Sequence, residues 1–311
     1  MTMLQSPASA LETHPGARLS ERARKIARSF ARSPAALFGA ALLLLCLGLA
    51  LFAPQISPQN PYDLDALDIM DNMLPPGGVL SSGVTAWLGT DDQGRDLLST
   101  ILHGLRISIW VGVVSVFISC IIGATVGIGC AYLGGRVDTL AMRLVDLQLA
   151  FPTILIALML LSVFGRGVDK VIIALVTVQW AYYARMMRGV ALVERQQEYV
   201  DAAISFGAPR WRVMFRHLLP NCLPALIVIA TIHVANAISL EATMSFLGVG
   251  VPVTEPSLGM LIANGYGYLL SGKYWIATFP GFALLLLVLS INLVGDRLRA
   301  VLDPHSASEG P

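Results

Sequence analysis

The sequence predicts an all-α, polytopic membrane protein, and three observations carry that reading. Of 311 residues, 55% are hydrophobic and 13% charged, with a mean hydropathy of +0.69, whereas a soluble domain carries about 25% charged residues. A chain of this length with so little charge could not cover its surface in water. Long uncharged runs recur along it, each near the roughly 20 residues needed to cross a bilayer as a helix. Finally, 21 basic residues against 20 acidic ones give a net charge of +1, which argues against nucleic-acid binding by bulk charge and, with the hydrophobicity, against disorder.

The uncharged runs are Ser33 to Tyr62, Ile107 to Gly135, Leu147 to Gly165, Leu218 to Leu240 and Tyr274 to Gly295. A shorter one, Val171 to Ala184, spans if Arg185 and Arg188 snorkel to the head groups and the helix continues through Met186 and Met187. Six membrane helices are therefore expected. The first, residues 34–53, is expected to remain in the membrane: a long basic tail precedes it, and Ala53-Pro54 leads onward without a small-residue cleavage site. Cys46, Cys120, Cys130 and Cys222 lie in apolar stretches without metal-ligand spacing. They read as small buried hydrophobes with no disulfide framework.

Charge placement sets the orientation. With the tail holding Arg18, Arg22, Arg24, Lys25, Arg28 and Arg32 in the cytoplasm, sixteen Lys/Arg fall inside and five outside: Arg95, Arg106, Arg166, Lys170 and Lys273. That asymmetry follows the positive-inside rule, and an even helix count places both termini in the cytoplasm. The expected organisation is a cytoplasmic tail (1–33), a first helix (34–53), an outer loop (54–106), a five-helix core (107–300) containing an inner loop (185–221), and a C-terminal tail (301–311).

The two loops are long enough to have work of their own. The outer one carries seven aspartates, namely Asp63, Asp65, Asp68, Asp71, Asp91, Asp92 and Asp96. Thr90 or Asp91 is expected to cap a helix starting near Gln93, with Asp92 and Asp96 in its first turn. Leu97, Leu98, Ile101, Leu102 and Leu105 would then lay an apolar face along the membrane. In the inner loop, Glu198-Tyr-Val-Asp201-Ala202-Ala203 begins a short helix whose small residues permit close approach. Gly207 supplies a positive-φ stop and Pro209 prevents continuation. The competing reading is a solvated amphipathic helix.

Asp201-Ala-Ala, three residues, Gly207, nine residues, then His217, one residue, Leu219 and Pro220 resembles the EAA loop of bacterial ABC importer permeases. Asp201 stands where that family usually has Glu, and His217 where it has Ile. Leu88-Gly-Thr-Asp91-Asp92-Gln-Gly94-Arg95-Asp96, Gly104-Leu-Arg106, Gly134-Gly-Arg-Val-Asp138, Leu149-Ala-Phe151-Pro152, Glu241-Ala-Thr-Met-Ser245-Phe-Leu-Gly248, Asn292-Leu-Val-Gly295-Asp296 and Leu302-Asp303-Pro304 are similar to segments of the dipeptide/oligopeptide/nickel branch. The chain is thereby identified as resembling its second, C-type permease over residues 34 to 304. Leu258 departs from the usual Trp of a Pro-Ser-Trp-Gly motif.

The resemblance implies a type I ABC importer permease fold in the bacterial inner membrane and a translocation pathway for di- or oligopeptides worked by alternating access. Other solutes (a nickel complex, an opine, an oligosaccharide) and, at greater distance, a secondary transporter or a membrane enzyme are the alternatives. Implied partners are a second homologous permease, two cytoplasmic ABC ATPases, a solute-binding protein and membrane lipid, with no nucleic acid. ATP and magnesium would sit on the ATPases, and no cofactor, metal or catalytic residue is expected on this chain. Gly267 to Lys273 fits G-x-x-x-x-G-K but lacks the following Ser/Thr and a preceding strand.

Residue by residue, the resemblance assigns ATPase coupling to Glu198, Asp201, Ala202, Ala203, Gly207, Leu219 and Pro220. The acidic, ordered outer loop is itself the ground for expecting binding-protein docking at Asp65, Asp68, Asp71, Asp91, Asp92, Arg95 and Asp96, against the alternative of a self-contained cap in which Arg95 pairs with an aspartate. Glu241, an acid within a span, is with Ser245 and Phe246 the candidate pathway or gate group; the alternative is an acid hydrogen-bonded to a neighbouring helix. Phe151-Pro152 is expected to kink the third helix. Gly123 and Gly127 offer a small-residue face for close helix contact, and His233 reads as a packing residue.

Overall fold

The computed structural model describes residues 33–63 and 67–302. The basic tail up to Arg32, Asp65 and the Asp303-Pro304 pair lie outside the described residues. Helix α1, Pro34–Leu51, begins where Ser33 accepts the Ala36 amide on its hydroxyl, with Pro34 pre-set in the first turn. A single turn, Ala53–Ile56, leads into the outer loop. The loop is ordered by a 3₁₀ turn, Ile69–Asp71, and a small antiparallel hairpin of β1 (Gly78–Val79) and β2 (Thr85–Ala86), in which Gly78 faces Ala86. Asp71 sits beneath the hairpin and accepts the Ser81 amide and hydroxyl, each at 2.8 Å.

Helix α2, Leu97–Leu133, is 37 residues long and opens at Asp96, which accepts the Ser99 amide at 2.8 Å. The sequence placed this start near Gln93 with Thr90 or Asp91 as cap. Both of those side chains are instead consumed inside the loop: Thr90 bonds the Asp71 carbonyl, and Asp91 accepts the amides of Gln93 and Arg95. Residues 97–106, expected in the outer loop, are the first turns of α2. Leu97, Ile101, Leu102 and Leu105 are buried against protein, so this face does not lie along the membrane.

The next helices are α3 (Gly135–Ala150), α4 (Thr153–Phe164), α5 (Val168–Glu194) and α6 (Glu198–Ser205). Three follow: α7 (Arg210–Phe246), α8 (Leu258–Tyr266) and α9 (Trp275–Leu302). Phe151-Pro152 does more than kink the expected third span, because α3 and α4 meet at 89°. Pro152 lacks an amide hydrogen and pushes Phe151 into extended backbone, with ψ at 144°. Among the described residues, α1, α2, α7 and α9 are long and apolar enough to cross a membrane, and the bent α3–α4 pair makes a fifth crossing if counted as one. The expected count of six is thus not reproduced by length and apolarity. At 27 residues α5 is long enough, but it carries Asp169 and Lys170 near one end and Arg185, Arg188 and Glu194 toward the other.

Helix α2 is the axis of the packing. A β-carbon on Gly127 would stand 2.9 Å from the Arg188 amide and from Met187 Cβ, and one on Gly123 would collide with Tyr183, so α2 and α5 touch backbone to backbone. Gly112 leaves room on α2 for the Ile238 side chain of α7. One core joins α2, α4, α5 and α7; the second joins α1, α2, α7, α8 and α9. All four cysteines are free and buried. His233 lies against the rings of Tyr182 and Tyr183.

The first residues of α7 wind as a π-helix from Val213 to Leu218, with the Leu219 amide reaching the Met214 carbonyl. Pro220 explains the wide turn: it has no amide to offer the carbonyl four residues back.

Replacing Gly127 with Val should cost about 1–3 kcal/mol, since the overpacked pair must separate. Thermal unfolding of the detergent-solubilised protein should show the loss, with Gly129→Val, where a β-carbon meets only Met214 Cε at 3.8 Å, as the near-neutral control.

Candidate functional site

Between α5 and α7, helix α6 stands out from the body of the protein. Val200 is its single fully buried anchor. Tyr199 straps its base: its hydroxyl donates to Glu194 at the end of α5 (2.8 Å) and accepts from Asn221 Nδ2 in α7 (3.1 Å). Burial and the bond to Glu194 push this phenol up to about 12. The helix stops as the sequence predicts. Gly207 has φ +75°, its amide reaches the Ile204 carbonyl, and the Ala208 amide reaches that of Ala203, a Schellman closure.

Glu198, Asp201, Ala202, Gly207 and Pro220 are exposed, and Ala203 and Leu219 are half-buried. The exposed surface also holds Ile204, Trp211 and Phe206, the last 91% accessible. Arg212 stacks over Trp211 at 5.6 Å. This eight-residue helix thus shows small residues, apolar knobs and nearby arginines to solvent. Sequence reading found its backbone signals but passed over Phe206, Trp211 and the Tyr199–Asn221 strap.

A second concentration of charge lies in the outer loop. Arg95 is fully buried; its Nε meets Asp91 Oδ2 at 2.7 Å, and its Nη1 donates to the Val253 carbonyl at 3.2 Å. Asp96 is fully buried and holds Ser99, while the Asp96 amide reaches Gln59 Oε1 at 2.7 Å. Asp71, Asp91, Arg95 and Asp96 therefore face inward in this structure. They pin the loop to α2 and to the segment after α7. Asp68 is exposed and caps the 3₁₀ turn, and Asp92 is half-buried. Burial and the neighbouring Asp91 carboxylate push Asp92 above the usual carboxylate range, and burial raises Asp96.

The third site is Glu241 in α7. It is fully buried, with Ser108 of α2 donating to Oε2 at 3.0 Å and Ser245 to Oε1 at 2.8 Å. Ser245 also accepts the Val251 amide. Both residues are enclosed between helices, the arrangement that the alternative of an acid bonded to a neighbouring helix describes. Phe246 is 40% exposed and meets Tyr266 edge to face.

A family model described as the inner membrane component of binding-protein-dependent transport systems matches residues 123–307, a stretch containing α6 and Glu241. The chain belongs to this family. It is a transport permease subunit, and residues 22–76 match the N-terminal transmembrane domain of oligopeptide transport permease C. The permease is 41% identical over 284 residues to a peptide transport system permease protein of Brucella abortus, covering 91% of this chain and 92% of that one. It is 39% identical to the di/tripeptide permease DppC of Pseudomonas aeruginosa (89% and 90% covered) and 36% identical to the dipeptide permease DppC of Haemophilus influenzae (88% and 92%). Among solved structures, the inward-facing MetNI methionine ABC transporter matches at a TM-score of 0.53 with 23% identity, over 65% of this chain and 96% of that one. This last match speaks to the fold.

Two outcomes follow from the charges that the permease buries. Arg95→Ala should destabilise it by about 3–5 kcal/mol by leaving Asp91 buried and unpaired, and Arg95→Met with Asp91→Leu should recover part of that; chemical unfolding in detergent checks both. Asp92→Asn should raise the thermal midpoint at pH 7. A raised native pKa means that the charged form is disfavoured in the fold, so stability falls as pH rises from the unfolded pKa through the native one. The gain should therefore vanish below about pH 4.

Proposed function

We propose that this permease carries di- or oligopeptides inward through a pathway shared with a second, homologous permease, driven by two cytoplasmic ATPases and supplied by a solute-binding protein. The observation that carries the proposal is α6: an exposed helix with one buried anchor, strapped by Tyr199 to α5 and α7 together. A force applied there moves two long helices at once. The basic residues Arg210, Arg212 and Arg216 beside it support a cytoplasmic position under the positive-inside rule, with both termini on that side. The names of the relatives at 36–41% identity support a peptide cargo.

In this reading Glu198, Asp201, Ala202, Ala203 and Gly207 form the ATPase grip, and Leu219-Pro220 sets the turn that joins it to α7. ATP and magnesium act on the partner subunits, and this chain contributes no catalytic group. On the opposite side, docking falls to exposed loop residues such as Asp68, supported by the internal clasp of Asp91, Arg95 and Asp96. Alternating access then requires that ATP and the loaded binding protein each favour a different state of the permease pair.

Gly207→Pro tests the coupling. Proline fixes φ near −65° and removes an amide, and both the +75° φ and the bond to Ile204 depend on what it takes away. In proteoliposomes holding all subunits, the variant should insert normally yet lose peptide-stimulated ATP hydrolysis and uptake of labelled dipeptide by at least tenfold. Normal coupling would overturn the assignment. Normal ATPase stimulation with no dipeptide uptake by the parent complex would overturn the cargo alone.

A further inference from the structure

Helix α3 has two faces with different fates. On one, Val145 is fully buried, Asp138 takes a two-pronged ion pair from Arg188 (2.5 and 2.6 Å), and Asp146 pairs with Arg185. The acidic groups of the helix are thus neutralised by arginines of α5. The opposite face shows Val137, Leu140, Leu144 and Leu147, each more than half exposed. Their spacing of three, four and three residues keeps them in one stripe. Arg136 and Arg143, both exposed, fall beside one another at helical spacing along one edge of that stripe.

The stripe does not end with the helix. Phe151 at the corner is exposed, and Leu155, Met159 and Val163 carry an exposed apolar face up α4, which leaves at 89°. The surface is therefore a right-angled bracket. One arm is amphipathic and edged with arginine. The other arm is apolar with no charge from Thr153 to Phe164. A bilayer has this shape: head groups in one plane and hydrocarbon along its normal. At about 1.5 Å per residue the 12 residues of α4 reach roughly 18 Å, well into a core of about 30 Å.

We infer that α3 is an interfacial helix that binds anionic phospholipid, lying flat with its leucine stripe at the head-group boundary and Arg136 and Arg143 on lipid phosphates. The ion pairs to α5 keep it parallel to the surface and leave an outward charge that is positive only. Lipid contact at α3 would then bear on α5, the helix that holds α6. The assignment does not depend on which solute the permease carries, and its failure would leave the coupling role of α6 untouched.

The test uses the complete transporter in nanodiscs. Spin labels at Leu140→Cys and Leu144→Cys should be relaxed more strongly by oxygen than by a water-soluble nickel chelate, at a depth matching the head-group boundary. Native mass spectrometry should show bound phosphatidylglycerol enriched over phosphatidylcholine. Arg136→Gln with Arg143→Gln should reduce that enrichment by roughly fivefold per arginine, whereas the Lys/Lys pair should retain it. Labels shielded from both relaxing agents would mean that another subunit covers the stripe, and labels open to the nickel chelate would mean that it faces water; either result overturns the proposal. So would enrichment unchanged in the Gln pair.

Discussion

Contact between the backbones of α2 and α5 at Gly123 and Gly127 sets the position of the other helices. Within a membrane there is no hydrophobic gain in bringing two apolar helices together, so close packing of small residues must supply the attraction. The α2–α5 pair obtains it at two glycines about one helical turn apart, and Arg195 closes the end by donating to the Ala131 carbonyl and lying over Tyr132. With that pair fixed, α7 seats through Gly112, and α8 settles against α7 where Gly259 meets Ala242. Helix α1 joins from outside, through Gly39 against Leu293 of α9.

Ionisable groups in this protein serve mainly as fasteners. The Asp91–Arg95 pair joins the outer loop to the Val253 carbonyl, Glu241 joins α7 to α2 through Ser108, and Asp138 and Asp146 join α3 to α5. Each fastens segments far apart in sequence or at a sharp change of direction. Burying a pair is costly in free energy, but leaving one member behind costs more, which makes such links strict about register. The exposed parts of the molecule, α6 and the outer face of α3, in contrast turn most of their side chains to the outside.

Much of this was legible in the sequence because local chemistry decided it. Gly207 demanded a positive φ, Pro152 announced a bend, and Gly123 with Gly127 announced a close contact, each from one residue type at one place. What escaped was decided by distant partners. Nothing near Asp91 reveals that its carboxylate is spent on amides two and four residues ahead, so the cap passed to Asp96. The inward turn of Asp71 depends on Ser81 across a hairpin only two residues wide on each strand. Charge content flagged the outer loop as a surface, yet half of its described acids are buried; composition records how many charges a segment holds and not which way they face. Length and apolarity do not reproduce the span count for a related reason: an apolar run from Leu147 to Gly165 does not disclose that the chain turns through a right angle inside it, and α5 carries charge toward both ends.

The widened turn from Val213 to Leu218 gives α7 an unequal tolerance along its length. Each i→i+5 bond stores one residue more than an α-helical bond would need, so losing a residue there can be absorbed by tightening the winding. Losing one beyond Pro224 would instead rotate the far half of the rod by about 100° and carry Glu241 away from Ser108. Length variation among relatives should therefore collect at the root of this rod, where slack exists, while its outer half stays fixed in length like the toothed end of a key.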